Sequence, residues 1–340
     1  MDRTTATPPD TLAARDWVRI LAAYRDPDAR RSAWELGITL AGFVTLWVAA
    51  WHAVQVSWPL AVALGIVNGG FLVRLFAIQH DCGHGSFFAN RHVSDWTGRI
   101  LGIVTLTPYD VWRRTHALHH SHAGNLDRRG IGDVHTLTLA EYRASSRFGR
   151  FMYRLYRHPL VMFGLGPTWL FFVQNRLPLG LMTAGRSYWI SAMVTNLCIV
   201  AALALIWRFG GWEALVLVFL PPTLVAASAG VWLFYVQHQF ETTIWEHDPD
   251  WQLHEAALHG SSHYDLPPVL AWMTANIGIH HVHHLYSRIP FYRLPDVLRD
   301  HQELVEVSRM TLWQSLGCAS LDLWDAQANR LISFRQAHAV

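Results

Sequence analysis

The chain contains no lysine; all 27 basic residues are arginine. We read this as a coding bias without functional content. Cysteine is nearly as scarce. Cys82, Cys198 and Cys318 are scattered and form no Cys-x-x-Cys pair, which argues against disulfides and against a thiolate metal site. Cys82 reads as a small buried thiol. Charge is sparse as well: 15% of the 340 residues are charged, against 51% hydrophobic residues and 17 tryptophans. That balance is unusual for a water-soluble protein. A formal net charge of +2 gives no ground for a nucleic-acid partner. The sequence also lacks a Gly-x-Gly-x-x-Gly dinucleotide fingerprint and a His-Glu-x-x-His zinc-protease motif.

Long apolar runs are what the sequence does have. Residues 34–55, 59–78, 187–207 and 214–236 are each long enough to cross a bilayer, which takes about 20 residues. The first run starts too late and extends too far for a signal peptide. Arg25, Arg30 and Arg31 precede it, and flanking positive charge favours a cytoplasmic N-terminus. The expected fold is therefore all-α and integral to the membrane. Four transmembrane helices form two hairpins beneath a cytoplasmic helical cap. We divide the chain into an N-terminal cytoplasmic segment (1–33), a membrane domain (34–300) and a cytoplasmic C-terminal tail (301–340). Both termini are expected in the cytoplasm, and a bacterial inner membrane is the expected location.

Residues 1 to about 9 read as disordered. Beyond Asp10, Leu12, Trp17, Leu21 and Tyr24 alternate with Arg15, Arg19 and Arg25. This amphipathic pattern fits a membrane surface and packing on a soluble lobe equally well. Segments 100–107 and 160–173 are apolar but too short to span, and read as interfacial or re-entrant. Around them lie Arg113, Arg114, Arg128, Arg129, Arg143, Arg147, Arg150, Arg154 and Arg157. Such a density suits a cytoplasmic face near anionic lipid, and equally an acidic protein partner.

The chemistry is concentrated in histidine. In Asn276-Ile-Gly-Ile-His-His-Val-His-His-Leu285, the residues His280, His283 and His284 share one helix face at i, i+3 and i+4. The same spacing recurs in His116, His119 and His120. His80 and His84 form an i, i+4 pair, and His238 closes the fourth apolar run. The hairpin topology brings all of these to one membrane face. Nine imidazoles are too many for one ion and suit two. Soluble di-iron bundles use Glu-x-x-His pairs, and none stands out here. His122 and His281 adjoin these sets but miss the shared face. His259 and His263 repeat the i, i+4 spacing and read as solvated. Asp81, Asp133 and Glu241 are candidate acceptors for ligand rings, or else surface carboxylates. Trp112, Trp272 and Phe87 read as packing residues.

These motifs resemble the histidine boxes of membrane fatty acid desaturases. Gln79-His-Asp-Cys-Gly-His-Gly-Ser-Phe-Phe88 is similar to the first box, and Arg113-Arg-Thr-His-Ala-Leu-His-His120 to the second. Asn276–Leu285 is similar to the third, and Phe234-Tyr-Val-Gln-His-Gln-Phe-Glu241 to the segment adding one further histidine. The likeness covers about residues 35–300 and points to the bacterial acyl-lipid branch that includes Δ12 (omega-6) enzymes. It implies a di-iron centre held by His80, His84, His116, His119, His120, His238, His280, His283 and His284. It implies O2 as co-substrate and a cis double bond introduced into a lipid-linked acyl chain. In the acyl-CoA branch an Asn four residues before the extra histidine reaches a metal through water. Here that position is Phe234, which leaves open whether another group, such as Asn276, takes the role.

Electrons must come from a separate donor of ferredoxin or cytochrome b5 type with its reductase. His158-Pro159 is followed by Leu160 and not by the Gly-Gly of a fused cytochrome b5. Two rival readings differ in testable ways. A related di-iron hydroxylase or ketolase acting on carotenoids or alkanes would insert oxygen. A divalent-metal transporter would place ligands near the bilayer midplane on broken helices, whereas here they lie at span ends.

Overall fold

A computed structural model describes residues 13–130 and 132–339. The disorder expected for residues 1 to about 9, and Leu12 of the amphipathic pattern, lie outside the described residues. α1 (Ala14–Leu21) is followed by α2 (Ala29–Ala53), whose start is capped by Asp28 accepting from the amides of Arg30 and Arg31. α3 (Trp58–His84) carries Pro59 in its first turn, where the missing N–H costs nothing. α4 (Arg91–Val104), α5 (Tyr109–His122), α6 (Leu139–Ala144), α7 (Arg147–Arg157) and α8 (Gly166–Phe172) follow. α9 (Arg186–Ala214) runs through a π turn into α10 (Leu220–His238). The remainder comprises α11 (Leu253–His259), α12 (Pro268–Met273), α13 (His280–Leu285), α14 (Leu294–Asp300), α15 (Leu312–Ser315) and α16 (Phe334–Ala339).

Among the described residues, three helical runs are long and apolar enough to cross a membrane: α2, α3 and the 53-residue run from Arg186 to His238. Their outward faces are apolar. Val44, Val48, Ile66, Val67, Leu197, Val200 and Leu205 are all exposed, a surface that suits hydrocarbon and not water. A straight helix of the third run's length would reach about 80 Å, far beyond the about 30 Å of bilayer hydrocarbon. It breaks at Gly211 (φ 68°, ψ −167°), a conformation essentially reserved for glycine. Ser191, near its start, accepts from the Asp110 amide at the head of α5. Gly210 abuts Trp51 at the far end of α2, and His238 lies among the histidines. Both ends of the run therefore sit on the histidine side.

The spans hold one buried ion pair. Arg74 on α3 bonds Glu35 on α2 and donates to Thr39 Oγ1 at 3.1 Å, with its guanidinium 4.1 Å from the Trp272 ring centre. Arg31 reaches the same carboxylate at 2.7 Å. Arg74 and Glu35 are 1% and 3% exposed. Removing one partner leaves a buried charge uncompensated, so Glu35→Ala should destabilise the protein by about 3–5 kcal/mol. The Glu35→Ala/Arg74→Met double variant should lose less, as read from thermal melting in detergent.

The sequence expectation for the fold class changes in one respect. The all-α expectation gives way to a mostly helical fold with two small sheets. β1 (His263–Asp265) pairs in parallel with β2 (Arg309–Thr311), and β3 (Leu323–Asp325) pairs antiparallel with β4 (Arg330–Ile332). Within residues 301–339, Leu304, Leu323, Trp324 and Leu331 are buried. The dual reading of α1 resolves toward packing. Trp17 and Leu21 are buried in the core, and Trp17 meets His301 edge-on at 5.2 Å. Segment 160–173 forms a π turn and α8 packed on α10, with Leu160, Leu165 and Trp169 left exposed.

Candidate metal centre

Three helix ends and one short helix deliver the imidazoles. The last two turns of α3 supply His80 and His84. α5 supplies His116, His119 and His120, the end of α10 supplies His238, and α13 supplies His280, His283 and His284. Tyr109 fixes α5 beside α3 by donating to the Cys82 carbonyl at 2.9 Å. Gly83 is required here, because a Cβ would stand 2.8 Å from the Trp112 ring. That ring stacks on His116 at 4.6 Å and 16°.

All nine rings converge, in two groups. His80, His84, His116, His120 and His283 form one; His119, His238, His280 and His284 form the other. Within each group one nitrogen per ring lies within 4.8 Å of all the rest. The i, i+4 partners stay together, while the i+3 members His119 and His283 belong to the neighbouring group. One helix face therefore does not grip one ion, as the spacing alone implied. A helix turns about 100° per residue, so α5 and α13 each present rings to both groups. The groups are adjacent: His120 of one stacks on His284 of the other, with centroids 4.0 Å apart.

The closest nitrogens are spaced as ligands of one ion. His84 and His116 approach to 3.1 Å through Nε2, His116 and His120 to 3.1 Å, and His120 and His283 to 3.2 Å. In the other group His238 Nε2 lies 3.0 Å from His119 and 3.1 Å from His280. Metal–nitrogen bonds of about 2.1 Å put ligand atoms about 3.0–3.4 Å apart in octahedral or tetrahedral geometry. Proton sharing is a poorer account. A neutral imidazole donates from only one nitrogen, whereas His116, His120 and His238 each face two others through the same atom. His284 Nε2 is buried with no hydrogen-bond partner among the described residues. A cation would satisfy these converging lone pairs together.

The outer nitrogens are held as ligands require. His119 Nδ1 donates to Asp133 Oδ1 at 2.6 Å, and His238 Nδ1 to the Gly260 carbonyl at 3.3 Å. Both arrangements turn Nε2 inward. Asp81 lies 3.3 Å from His80 Nδ1, and its other oxygen accepts from the Phe291 amide at 2.8 Å. Of the three candidate acceptors, Asp133 and Asp81 thus touch rings of the two groups, whereas Glu241 is exposed. Burial first, and then the neighbouring rings, hold the pKa of His116, His120, His280, His283 and His284 well below the ordinary histidine value. They are neutral at pH 7, the form that binds metal. Asp133→Ala frees the His119 ring and should weaken metal binding in its group by about 10–100-fold. Chelator competition would read this, with the five-histidine group unaffected.

Several other residues stay outside both groups. His281 is buried but spends Nε2 on the Leu304 carbonyl at 3.0 Å; burial depresses its pKa to about 3. His122 sits at the end of α5, outside both groups. Cys82 is fully buried in the core, as expected of a small thiol. His263 corrects its expectation of being solvated. It is 6% exposed in β1, and its Nδ1 donates to the Val305 carbonyl at 2.6 Å. Asn276 joins neither group; its amide donates to the Phe291 carbonyl at 3.4 Å. Phe234 packs against His119 and His238, with centroids 4.9 and 5.4 Å away. Beside it a cavity of about 30 Å³ touches His119, Asp133 and His238, enough for a water.

A largely buried pair of imidazole groups at the ends of apolar helices can hold two metal ions. Comparison with known proteins points the same way. The profile of the family described as fatty acid desaturase matches residues 56–315. A Bacillus subtilis (strain 168) protein named fatty acid desaturase is 42% identical over 315 residues, covering 93% of this chain and 89% of its own. A Synechocystis sp. protein named sn-1 oleoyl-lipid 12-desaturase is 27% identical, over 76% of this chain and 71% of its own. Another from that organism, named sn-1 acyl-lipid omega-3 desaturase (ferredoxin), is 27% identical over 75% and 69%. With its histidine boxes inside the matched region, the chain belongs to the fatty acid desaturase family and is an enzyme of the oxidoreductase class.

Proposed function

We propose that the protein introduces a cis double bond into lipid-linked acyl chains, using O2 and two irons held by the nine histidines. The observation that carries this reading is the division of nine converging imidazoles into adjacent groups of five and four. His80, His84, His116, His120 and His283 would hold one iron; His119, His238, His280 and His284 would hold the other. Bound iron would supply the oxidising power needed to break an unactivated C–H bond. The chain's own residues hold the ligands, fix their tautomers through Asp133 and the Gly260 carbonyl, and limit access of water. His119, His280 and His283 are each at most 2% exposed, and restricted water access protects a strong oxidant from side reactions.

The contacts of the 186–238 run support two crossings, giving four spans in two hairpins. Both termini then lie with the cap on the cytoplasmic side of a bacterial inner membrane. The reaction removes two hydrogens from the chain and reduces O2 to two waters, which requires two further electrons and two protons. A ferredoxin or a cytochrome b5 with its reductase would deliver them. The name of the Synechocystis omega-3 relative includes ferredoxin, which supports the former. Relatives are named for both the 12 and the omega-3 positions; we propose the 12 (omega-6) position as the one to test first.

Expression in a host lacking the activity, followed by mass spectrometry of its lipids, decides the reading. A new cis double bond in intact lipids supports it. Acyl chains carrying an added oxygen would instead favour the hydroxylase or ketolase chemistry.

A further inference from the structure

α7 presents three faces. Tyr153 and Tyr156 point inward, and the Tyr153 hydroxyl donates to the Asp322 carbonyl at 2.6 Å. Phe148, Phe151, Met152 and Leu155 form an outer apolar face, 72%, 60%, 45% and 44% exposed. Arg147, Arg150 and Arg154, at i, i+3 and i+7, form the third face. With Arg143 from α6 and His338 from α16, they line a cleft of about 560 Å³.

These four arginines differ from most others of the central section, Arg114 being a further one without an ion-pair partner among the described residues. Arg113, Arg128 and Arg129 pair with Asp95, Asp248 and Glu141. Arg157 is buried and bonds Tyr235 and Gln239. Among the described residues, no carboxylate lies within ion-pair distance of Arg143, Arg147, Arg150 or Arg154, and none lines the cleft. Their own bonds only orient them. Arg143 donates to the Ala337 carbonyl, Arg150 to the Arg143 carbonyl, and Arg154 to the Tyr142 hydroxyl and His338 Nε2. Each guanidinium has five N–H groups, so most donors stay free for an anion.

The position of the cleft narrows the anion. Arg157 ties α7 to the last turn of α10, donating to the Tyr235 hydroxyl at 2.8 Å and to Gln239 Oε1 at 3.2 Å. The chain then continues into exposed Leu160, Leu165 and Trp169 beside α10. An amphipathic helix with an exposed apolar face, at the end of a spanning helix, lies at the depth of lipid headgroups. A soluble acidic protein would gain nothing from that apolar face, whereas a lipid would use both faces.

We infer that the cleft between α6, α7 and α16 binds the phosphate of an anionic membrane phospholipid. This does not rest on the reading of the histidine centre, and lipid retention is measured without turnover. The test uses the full chain purified in a neutral detergent. Native mass spectrometry follows added dioleoyl phosphatidylglycerol against dioleoyl phosphatidylcholine. The wild type should retain the anionic lipid at least about fivefold better. Arg147→Gln/Arg150→Gln should erase most of that preference, while Arg15→Gln on α1 should keep it. Equal retention of the two lipids by the wild type overturns the inference, and needs no variant to fold. So does full preference in the double variant, or displacement of the lipid by millimolar inorganic phosphate, which would mark a free-phosphate site. Loss of ferredoxin binding in the double variant with lipid preference intact would assign the arginines to the donor and overturn it as well.

Discussion

His283→Ala should yield a protein that inserts into the membrane, binds about one iron instead of about two, and forms no detectable desaturated lipid. His283 Nε2 faces His120 Nε2 at 3.2 Å within the five-histidine group. Its loss leaves four rings there but opens a buried site that was closed on that side. His120→Ala should act alike. His238→Ala should deplete the other group, because His238 Nε2 faces both His119 and His280. Activity should fall by more than about 100-fold in each case, beyond what loss of a ligand's supporting partner costs. Iron content measured by mass spectrometry, against protein in the membrane fraction, reads the effect. Full activity at depleted iron would refute the ligand assignment. Combining His283→Ala with His238→Ala should bring iron close to zero; two irons retained there would place the ligands elsewhere.

The purified protein should form no product from lipid and O2 alone. The reduction of O2 to water during desaturation consumes two electrons that the substrate does not supply, and the sequence shows neither a dinucleotide fingerprint nor a fused haem motif. Adding ferredoxin, its reductase and NADPH should raise turnover from background by at least about 100-fold. Product formation without a donor would contradict the assignment of the electrons to a separate protein. A donor whose effect falls steeply with salt would indicate charge-steered docking on the cap.

Much of the centre was legible in the sequence because helix periodicity is local. His80 and His84, or His116 and His120, announce a shared face by spacing alone. How nine rings divide between two groups was not legible. Adjacent residues such as His119 and His120 diverge by about 100°, and only the packing of α5 against α13 decides which neighbour each meets. His263 was misread for a related reason. Its burial comes from β1 pairing with β2, more than forty residues later, and no local pattern encodes such a pairing. Asp133 could be named as a candidate acceptor but not chosen, since its approach to His119 depends on the loop after α5. The apolar runs were clear, and the break at Gly211 falls in the gap between the runs at 187–207 and 214–236. The burial of the C-terminal Leu and Trp side chains was not legible because they are spread along short, irregular elements.

The most direct test is an anomalous difference map from crystals of the purified protein, collected above and below the iron edge. The account predicts two iron peaks side by side, one enclosed by His80, His84, His116, His120 and His283, the other by His119, His238, His280 and His284. A single peak shared by both groups, or no iron signal at either, would contradict it.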